Sequence, residues 1–328
     1  RGKLQDPSKN ISIFKLPNDA VKTLKTTTNS GITDTNFKVR RQFVQQLSSG
    51  SGQISAGTNE TFASLAEGDY VVSIKTKNSA SLGANGDILS LTGTNAQGGT
   101  VFTLGGSPTG KTLTFDFGTG YADAELMILA TVNRSVAGSK TKTLNSSQTK
   151  AVSTQAEIQS GTINIGKADI FKINNVYMAP DFSTAATTSH TDITNRFDLD
   201  NGQRDNFYDI GRLKLKTGAL TPTGRLLINF DFFSHGSGDY FDVDSYAGVV
   251  NYGLIPEYSS DTTGRTYQLR DSLDFRPRVD DASTINSGGQ DRSFDGTGAS
   301  VVQPIKFNSD VRSDFEYYLG RVDKVFLD

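Results

Sequence analysis

Short apolar runs that alternate with polar residues dominate the chain. From Asn36 onward these are Phe37-Lys-Val39, Phe43-Val44-Gln-Gln-Leu47, Tyr70-Val71-Val72-Ser-Ile74, Ile88-Leu89-Ser-Leu91, Val101-Phe102-Thr-Leu104, Leu113-Thr-Phe115-Asp-Phe117 and Leu126–Val132. Between them lie Ser-Gly-Ser-Gly at 49–52, Ala-Asn-Gly-Asp at 84–87, Gly-Gly-Ser-Pro-Thr-Gly at 105–110 and Gly-Thr-Gly at 118–120. Period-2 alternation punctuated by turn chemistry at ~8–12-residue spacing predicts a β-sandwich over 36–136. Cysteine and tryptophan are both absent, so the sandwich is immunoglobulin-like in architecture only.

The rest of the chain divides around that body. Residues 1–35 read as an extended connector, with one strand in Ile11–Leu16 and a short helical turn near Asp19–Leu24. The Ser/Thr/Gln/Lys-rich stretch 137–165 reads as an extended linker. A second β-rich domain over 166–328 opens with Ala168-Asp-Ile170-Phe-Lys-Ile173, carries the aromatic strand Leu226–Phe233, and ends in Phe315–Leu319 and Val322–Leu327. The fold class expected is therefore mainly β, with Asp-rich loops in the second domain and few short helices. No repeat at a 20–50-residue period is visible, which counts against a simple solenoid. The first residue is Arg1 and the last run is strand-like, so the chain reads as a segment continuing beyond both ends.

Composition sharpens this picture. Aspartate outnumbers glutamate 29 to 6; Asp competes for backbone hydrogen bonds and favours turns and caps, whereas Glu favours helix interiors. By count, 22 of the aspartates follow residue 168, so the second domain has acidic loops around aromatic strands. Lys+Arg 33 against Asp+Glu 35 gives a net charge of −2, with no bulk field to draw nucleic acid or anionic lipid. No apolar run approaches the ~18 residues of a membrane helix. Without cysteine there are no disulfides, thiolate metal sites or thiol nucleophiles. Two histidines, His190 and His235, exclude multi-histidine metal centres.

Several motifs invite chemistry and are outweighed by simpler readings. Gly105-Gly-Ser-Pro-Thr-Gly110-Lys111-Thr112 satisfies the P-loop pattern, which binds phosphate through amides converging at a following helix N-terminus. Here period-2 alternation follows, so a hairpin loop is expected. Asp198, Asp200 and Asp209 partly imitate a calcium loop, which needs six to eight hard oxygens. Gln203 stands where that loop requires glycine, and Asp209 where it requires a bidentate glutamate, so ordinary turns are the expectation and calcium the weaker candidate. Asp239, Asp242 and Asp244 form a second acidic group; at even spacing Asp242 and Asp244 share a strand face, expected to be solvated. Carboxylate pairs raise glycoside hydrolysis, but proximity in sequence fixes no geometry. His190 and His235 both read as loop residues, and no nucleophile elbow accompanies them. The aromatics Phe230, Phe232, Phe233, Tyr240, Phe241, Tyr246, Tyr252 and Tyr258 read as core or subunit interface before sugar platform. Arg276 and Arg278, close to Asp271, Asp274, Asp280 and Asp281, are expected to form an internal ion-pair network. No catalytic residue and no cofactor are assigned.

The runs Asp192–Asp209, Tyr240–Tyr246, Leu269–Val279 and Phe315–Lys324 resemble large structural proteins of contractile-tailed phages, cyanophage-type included. The resemblance covers roughly 165–328, and more loosely Ile13–Pro17 and Lys140–Leu144. It implies a virion component at the baseplate periphery or tail-fibre attachment, assembled in the host cytoplasm. Such a part works by assembly rather than catalysis, with other tail and baseplate proteins as partners and a homo-oligomer, a trimer in preference, as its state. Two other functions stay open: a receptor- or carbohydrate-binding fibre module, if the aromatics line an exposed groove, and a polysaccharide-degrading tailspike, if two carboxylates face one cleft.

Overall fold

The computed structural model describes residues 12–16, 32–66, 68–283, 292–306 and 309–315. The expected helical turn at Asp19–Leu24 and the final strand at Val322–Leu327 lie outside the described residues. The chain is mainly β. In order it forms β1 (Ile13–Lys15), β2 (Ile32–Gln46), β3 (Ser51–Ser55), β4 (Glu60–Phe62), β5 (Tyr70–Thr76), β6 (Phe102–Gly105), β7 (Thr112–Asp116) and β8 (Glu125–Ala137). Then follow β9 (Lys142–Val152), a short helix α1 (Gln155–Gln159), β10 (Thr162–Ala168), β11 (Ile170–Met178), β12 (Thr191–Asp192), β13 (Phe197–Asp200) and β14 (Ile210–Leu215). The last are β15 (Leu226–His235), β16 (Glu257–Ser259), β17 (Thr266–Gln268), β18 (Ser272–Asp274) and β19 (Arg312–Phe315).

These elements fall into two compact units. The first comprises Ile32–Ala137 with Gln303–Asp314. Its larger sheet runs β19-β2-β8-β4, with β5 also paired to β8, and its smaller sheet runs β3-β7-β6. The alternation read from the sequence is the alternation of inside and outside: Val72, Ile74, Leu126, Ile128, Ala130 and Val132 point inward and are fully or almost fully buried. From the smaller sheet Ile54, Leu113 and Phe115 are buried too. The Tyr70 and Phe102 rings, one from each sheet, meet at 4.9 Å between centroids in an edge contact. Burying each such side chain stabilises the unit by roughly 1.5–3 kcal/mol. Glu60 is a buried carboxylate of this unit, and Arg41 grips it with two bonds of 2.8 and 2.6 Å while Arg134 adds a third.

The second unit comprises Ser12–Leu16 and Gly138–Val302 among the described residues. One sheet runs β12-β11-β15-β9 and another β10-β14-β13, with β16-β17 and β1-β18 as two-stranded pairs. Ile163, Ile165 and Leu213 join Val176, Ile228 and Phe230 in one buried cluster. The stretch 137–165 therefore differs from the extended linker expected. β9 pairs with β15 along its length, from Val152 opposite Leu226 to Lys142 opposite His235, and α1 buries Ile158. Its polar composition misled because β9 has a largely exposed middle, with burial concentrated at its two ends, Lys142 and Val152.

Candidate functional site

The residues that sequence reasoning singled out are scattered. The P-loop-like run is the hairpin loop between β6 and β7: a strand follows it, and Lys111 Nζ is spent on the Gly57 carbonyl at 2.6 Å. His190 lies in a turn, where its Nδ1 accepts from the Thr187 amide at 2.9 Å. Asp198 and Asp200 sit on β13 and line a groove of about 580 Å³ with Arg204, Arg212, Lys214 and Asp261. Asp200 receives two bonds of 2.9 Å from Arg204, and Lys214 lies 3.0 Å away. Burial alone would raise its pKa, but these cations outweigh burial and hold the carboxyl at about 2. Asp209 is buried and paired with Arg212 at 2.9 Å and Arg292 at 2.5 Å, while Asp198 is exposed. The charges of Asp200 and Asp209 are thus already neutralised from within the chain. Gly202 holds the turn between them: its φ is +88°, and a Cβ there would lie 2.0 Å from the Asp209 carbonyl oxygen. Among the described residues no three His, Cys, Asp or Glu side chains are grouped to hold a metal.

The second acidic group is not a solvated strand face. Asp242 is fully buried and precedes a single 3-10 turn at Asp244–Tyr246, where its Oδ1 accepts from the Ser245 amide at 3.2 Å. Burial, and after it the Asp244 charge, pushes the Asp242 carboxyl up to about 7. The aromatic run is interior: of the eight rings between Phe230 and Tyr258 all but Tyr252 are buried. That arrangement leaves no row of exposed rings for sugars to stack upon.

The densest chemistry lies inside the second unit. Lys142 at the start of β9 donates from Nζ to Asp169 Oδ2 at 2.6 Å, and both side chains are closed to solvent. The ammonium stands 4.5 Å from the Tyr208 ring centroid, 4.6 Å from Phe241, 5.0 Å from Tyr246 and 5.2 Å from Phe233. His235, at the end of β15, places Nε2 2.7 Å from the same Asp169 oxygen. This histidine is buried in a strand rather than exposed in a loop, because β15 runs ten residues and ends inside the ring cluster. Tyr208 donates its hydroxyl to Asp274, which Arg276 also holds, and the Arg276 guanidinium lies 4.2 Å from the Tyr208 ring centroid.

Comparison with protein-family models, curated proteins and solved structures found no match.

The electrostatics of this interior are internally balanced. Burial would raise Asp169, but the Lys142 cation and the His235 bond outweigh it and hold the carboxyl well below its usual range. Burial pushes the Lys142 amine down, opposed by Asp169. Burial likewise pushes His235 down to about 4. The arrangement is a desolvated ion-pair and aromatic lattice that ties β9, the β10–β11 joint, β15 and the segment around β18 together. Arg276 and Arg278 form the internal ion pairs expected of them, with Asp274 at 2.8 Å and Asp281 at 2.6 Å. Sequence reasoning missed Lys142, Asp169 and Tyr208. The one available signal was the period-2 run Lys140-Thr-Lys142-Thr-Leu144, which places two lysines and a leucine on one strand face.

Proposed function

We propose that this chain is an assembly module: a structural part of a contractile phage tail, at the baseplate periphery or tail-fibre attachment, that works without catalysis. The observation that carries the assembly reading is an apolar ladder on the outer face of the first unit's larger sheet. Val44 of β2 pairs with Met127 of β8, which pairs with Ser73 of β5, and Ser73 bridges to Ile88; in the next row Leu129 pairs with Val71. All five apolar side chains are substantially exposed, Ile88 at 74%. Scattered surface apolars are normal, whereas a contiguous set in strand register marks a surface built to be covered. The tail setting rests on the resemblance of the runs in 165–328. A homo-oligomer, a trimer in preference, and contacts with other tail proteins complete the proposal.

The burial of the Phe230–Tyr258 rings weighs against the carbohydrate-binding alternative. No helix of the described residues is long and apolar enough to cross a membrane.

Light scattering on the purified chain tests the reading. A mass of three chains or a larger closed assembly is expected, and a monomer at every concentration counts against it. Release of glycan from a host envelope, abolished by one Asp→Asn change, would overturn the non-catalytic part.

A further inference from the structure

We infer that Lys142 and Asp169 form a covalent isopeptide bond within the second unit, closing an amide between β9 and the β10–β11 joint.

The geometry is that of a pair held for reaction. Nζ lies 2.6 Å from Asp169 Oδ2, and reactants fixed at contact distance gain effective molarities of ~10⁵–10⁸ M over free partners. Neither group can drift away. Lys142 opens a strand whose register places it opposite His235. Asp169 has φ +57°, a backbone region that non-glycine residues adopt rarely and that marks a position the surrounding fold enforces. Its carbonyl accepts from the Phe233 amide at 3.0 Å, which fixes the residue from a second side.

The surroundings favour the chemistry as well. Tyr208, Phe233, Phe241 and Tyr246 wall the amine, and both side chains are at most 2% exposed. In such a site water is excluded, so a desolvated lysine is available as a nucleophile and the amide, once made, is shielded from hydrolysis. The rings also stabilise the ammonium by cation–π attraction; the ion pair is the starting state, and a proton must cross the hydrogen bond before reaction. Burial lowers the proton affinity of the amine, in the direction this transfer requires, whereas the Lys142 and His235 contacts lower that of the Asp169 carboxylate and oppose it; the contact geometry, not the proton balance, carries the inference.

The step balances without a co-reactant. One Nζ proton passes to the Asp169 carboxylate, giving a neutral amine and a neutral acid. The amine lone pair attacks Cγ, forming the C–N bond and a tetrahedral intermediate. A second Nζ proton passes to Oδ2, the Cγ–O bond breaks, and one water leaves. The two charges of the ion pair are thereby consumed. His235 Nε2, 2.7 Å from Oδ2, is the positioning residue: its N–H stabilises the developing charge on the departing oxygen. Its Nδ1 has no hydrogen-bond partner among the described residues, consistent with the proton residing on Nε2.

Intact-mass spectrometry of the folded wild-type chain, unfolded just before measurement, decides the matter. The expected mass is one water below the sequence mass, and proteolysis should yield a branched peptide joining the Lys142 and Asp169 segments. Asp169→Asn should give a product of the same mass, because the same amide then forms by loss of ammonia. Lys142→Arg, which keeps the cation but forms no such amide, should show the full sequence mass; circular dichroism reports whether each variant folds. His235→Gln should still reach a mass one water below its own sequence mass, while approaching it more slowly after refolding. A folded wild-type chain at full sequence mass overturns the inference. So does a one-water deficit that persists in Lys142→Arg or that maps to other peptides.

Discussion

Arg276 holds Asp274 with both arms of its guanidinium: Nε donates to Oδ1 at 2.9 Å and Nη2 to Oδ2 at 2.8 Å, with neither side chain open to solvent. The two residues are adjacent but one in the chain, so a local turn supplies a fork-to-fork contact that usually requires separate elements. The remaining guanidinium donors reach the Arg204 carbonyl at 3.0 Å, and Gln203 Oε1 and the Tyr208 hydroxyl, each at 3.1 Å. Removing the carboxylate therefore leaves a buried cation with neutral acceptors only.

Asp274→Ala should accordingly destabilise the second unit by about 3–5 kcal/mol, the usual cost of stranding one partner of a buried pair. Urea unfolding followed by tyrosine fluorescence measures it. A loss below about 1 kcal/mol, typical of surface pairs, would show that the lattice contributes little.

His235 gives the lattice an acid limit. With Lys142 and Asp169 as an ion pair, its folded pKa is depressed from 6.5 to about 4, chiefly by burial and secondarily by the Lys142 and Arg278 cations, against the pull of Asp169; burial, the largest cause, remains when the pair closes to an amide. Between those values the unfolded chain binds the proton and the folded chain does not, so stability falls as pH drops from 6.5 toward 4. The loss should amount to a few kcal/mol. His235→Gln can still donate to Asp169 but does not titrate. Its unfolding free energy should be lower than that of the wild type at pH 7, and this difference should shrink as pH drops from 6.5 toward 4, because only the wild type carries the His235 loss.

Asp242 acts in the opposite sense. Its folded pKa is raised to about 7 from 3.8, so the folded state holds a proton that the unfolded state has lost. The associated stability is complete below pH 3.8 and is lost as pH rises through 7. Asp242→Asn keeps a neutral side chain of the same shape. The variant should gain stability relative to wild type at pH 8 and show no such gain at pH 4, read from paired denaturation curves.

These two residues show what a sequence does and does not carry. The β class was legible, because Tyr70-Val-Val-Ser-Ile74 and Leu126–Val132 alternate with the period of a pleated strand, and Gly105–Thr112 was legible as a hairpin because alternation continues past it. The chemistry of Asp242 and His235 was not. A two-residue spacing places carboxylates on one face only if the segment is a strand, and at Asp242 the chain turns into a 3-10 coil instead. The Ser-Gly-rich run after His235 disguised a histidine packed against Tyr208 and Phe241. Lys142 was hidden for a related reason: a lysine is buried only when a distant residue, here Asp169, neutralises it, and no local pattern encodes that partner.

The acidic groove on β13 should be indifferent to calcium. Arg204 and Lys214 already neutralise Asp200, and Arg212 and Arg292 neutralise Asp209, so a divalent ion would have to displace these pairs while gaining few new oxygens. Neither millimolar calcium nor a chelator should move the melting temperature or the solution mass. A calcium-dependent rise in melting temperature that disappears in Asp200→Asn would contradict this. Without calcium, Asp200→Asn should still weaken the fold by about 1–3 kcal/mol through the loss of the charged bonds from Arg204.

The apolar ladder offers the most direct link between structure and assembly. Met127 and Leu129 are the outward residues at the centre of β8, between Val44 and Gln42 of β2 on one side and Ser73 and Val71 of β5 on the other. A lysine at either position extends into solvent in the free chain, so the fold should lose little, within about 1 kcal/mol on the scale of strand preferences. In an assembly that covers this face the same lysine is buried without a partner, which costs far more. Met127→Lys and Leu129→Lys should therefore reduce the solution mass to that of one chain while leaving circular dichroism and melting temperature close to wild type. Leu220→Lys is the control: Leu220 is 73% exposed but belongs to the second unit and not to the ladder, and should leave the mass unaltered. Assembly that survives both ladder substitutions would place the interface elsewhere. Loss of assembly in the Leu220 variant as well would show that added charge, rather than the covered face, controls association.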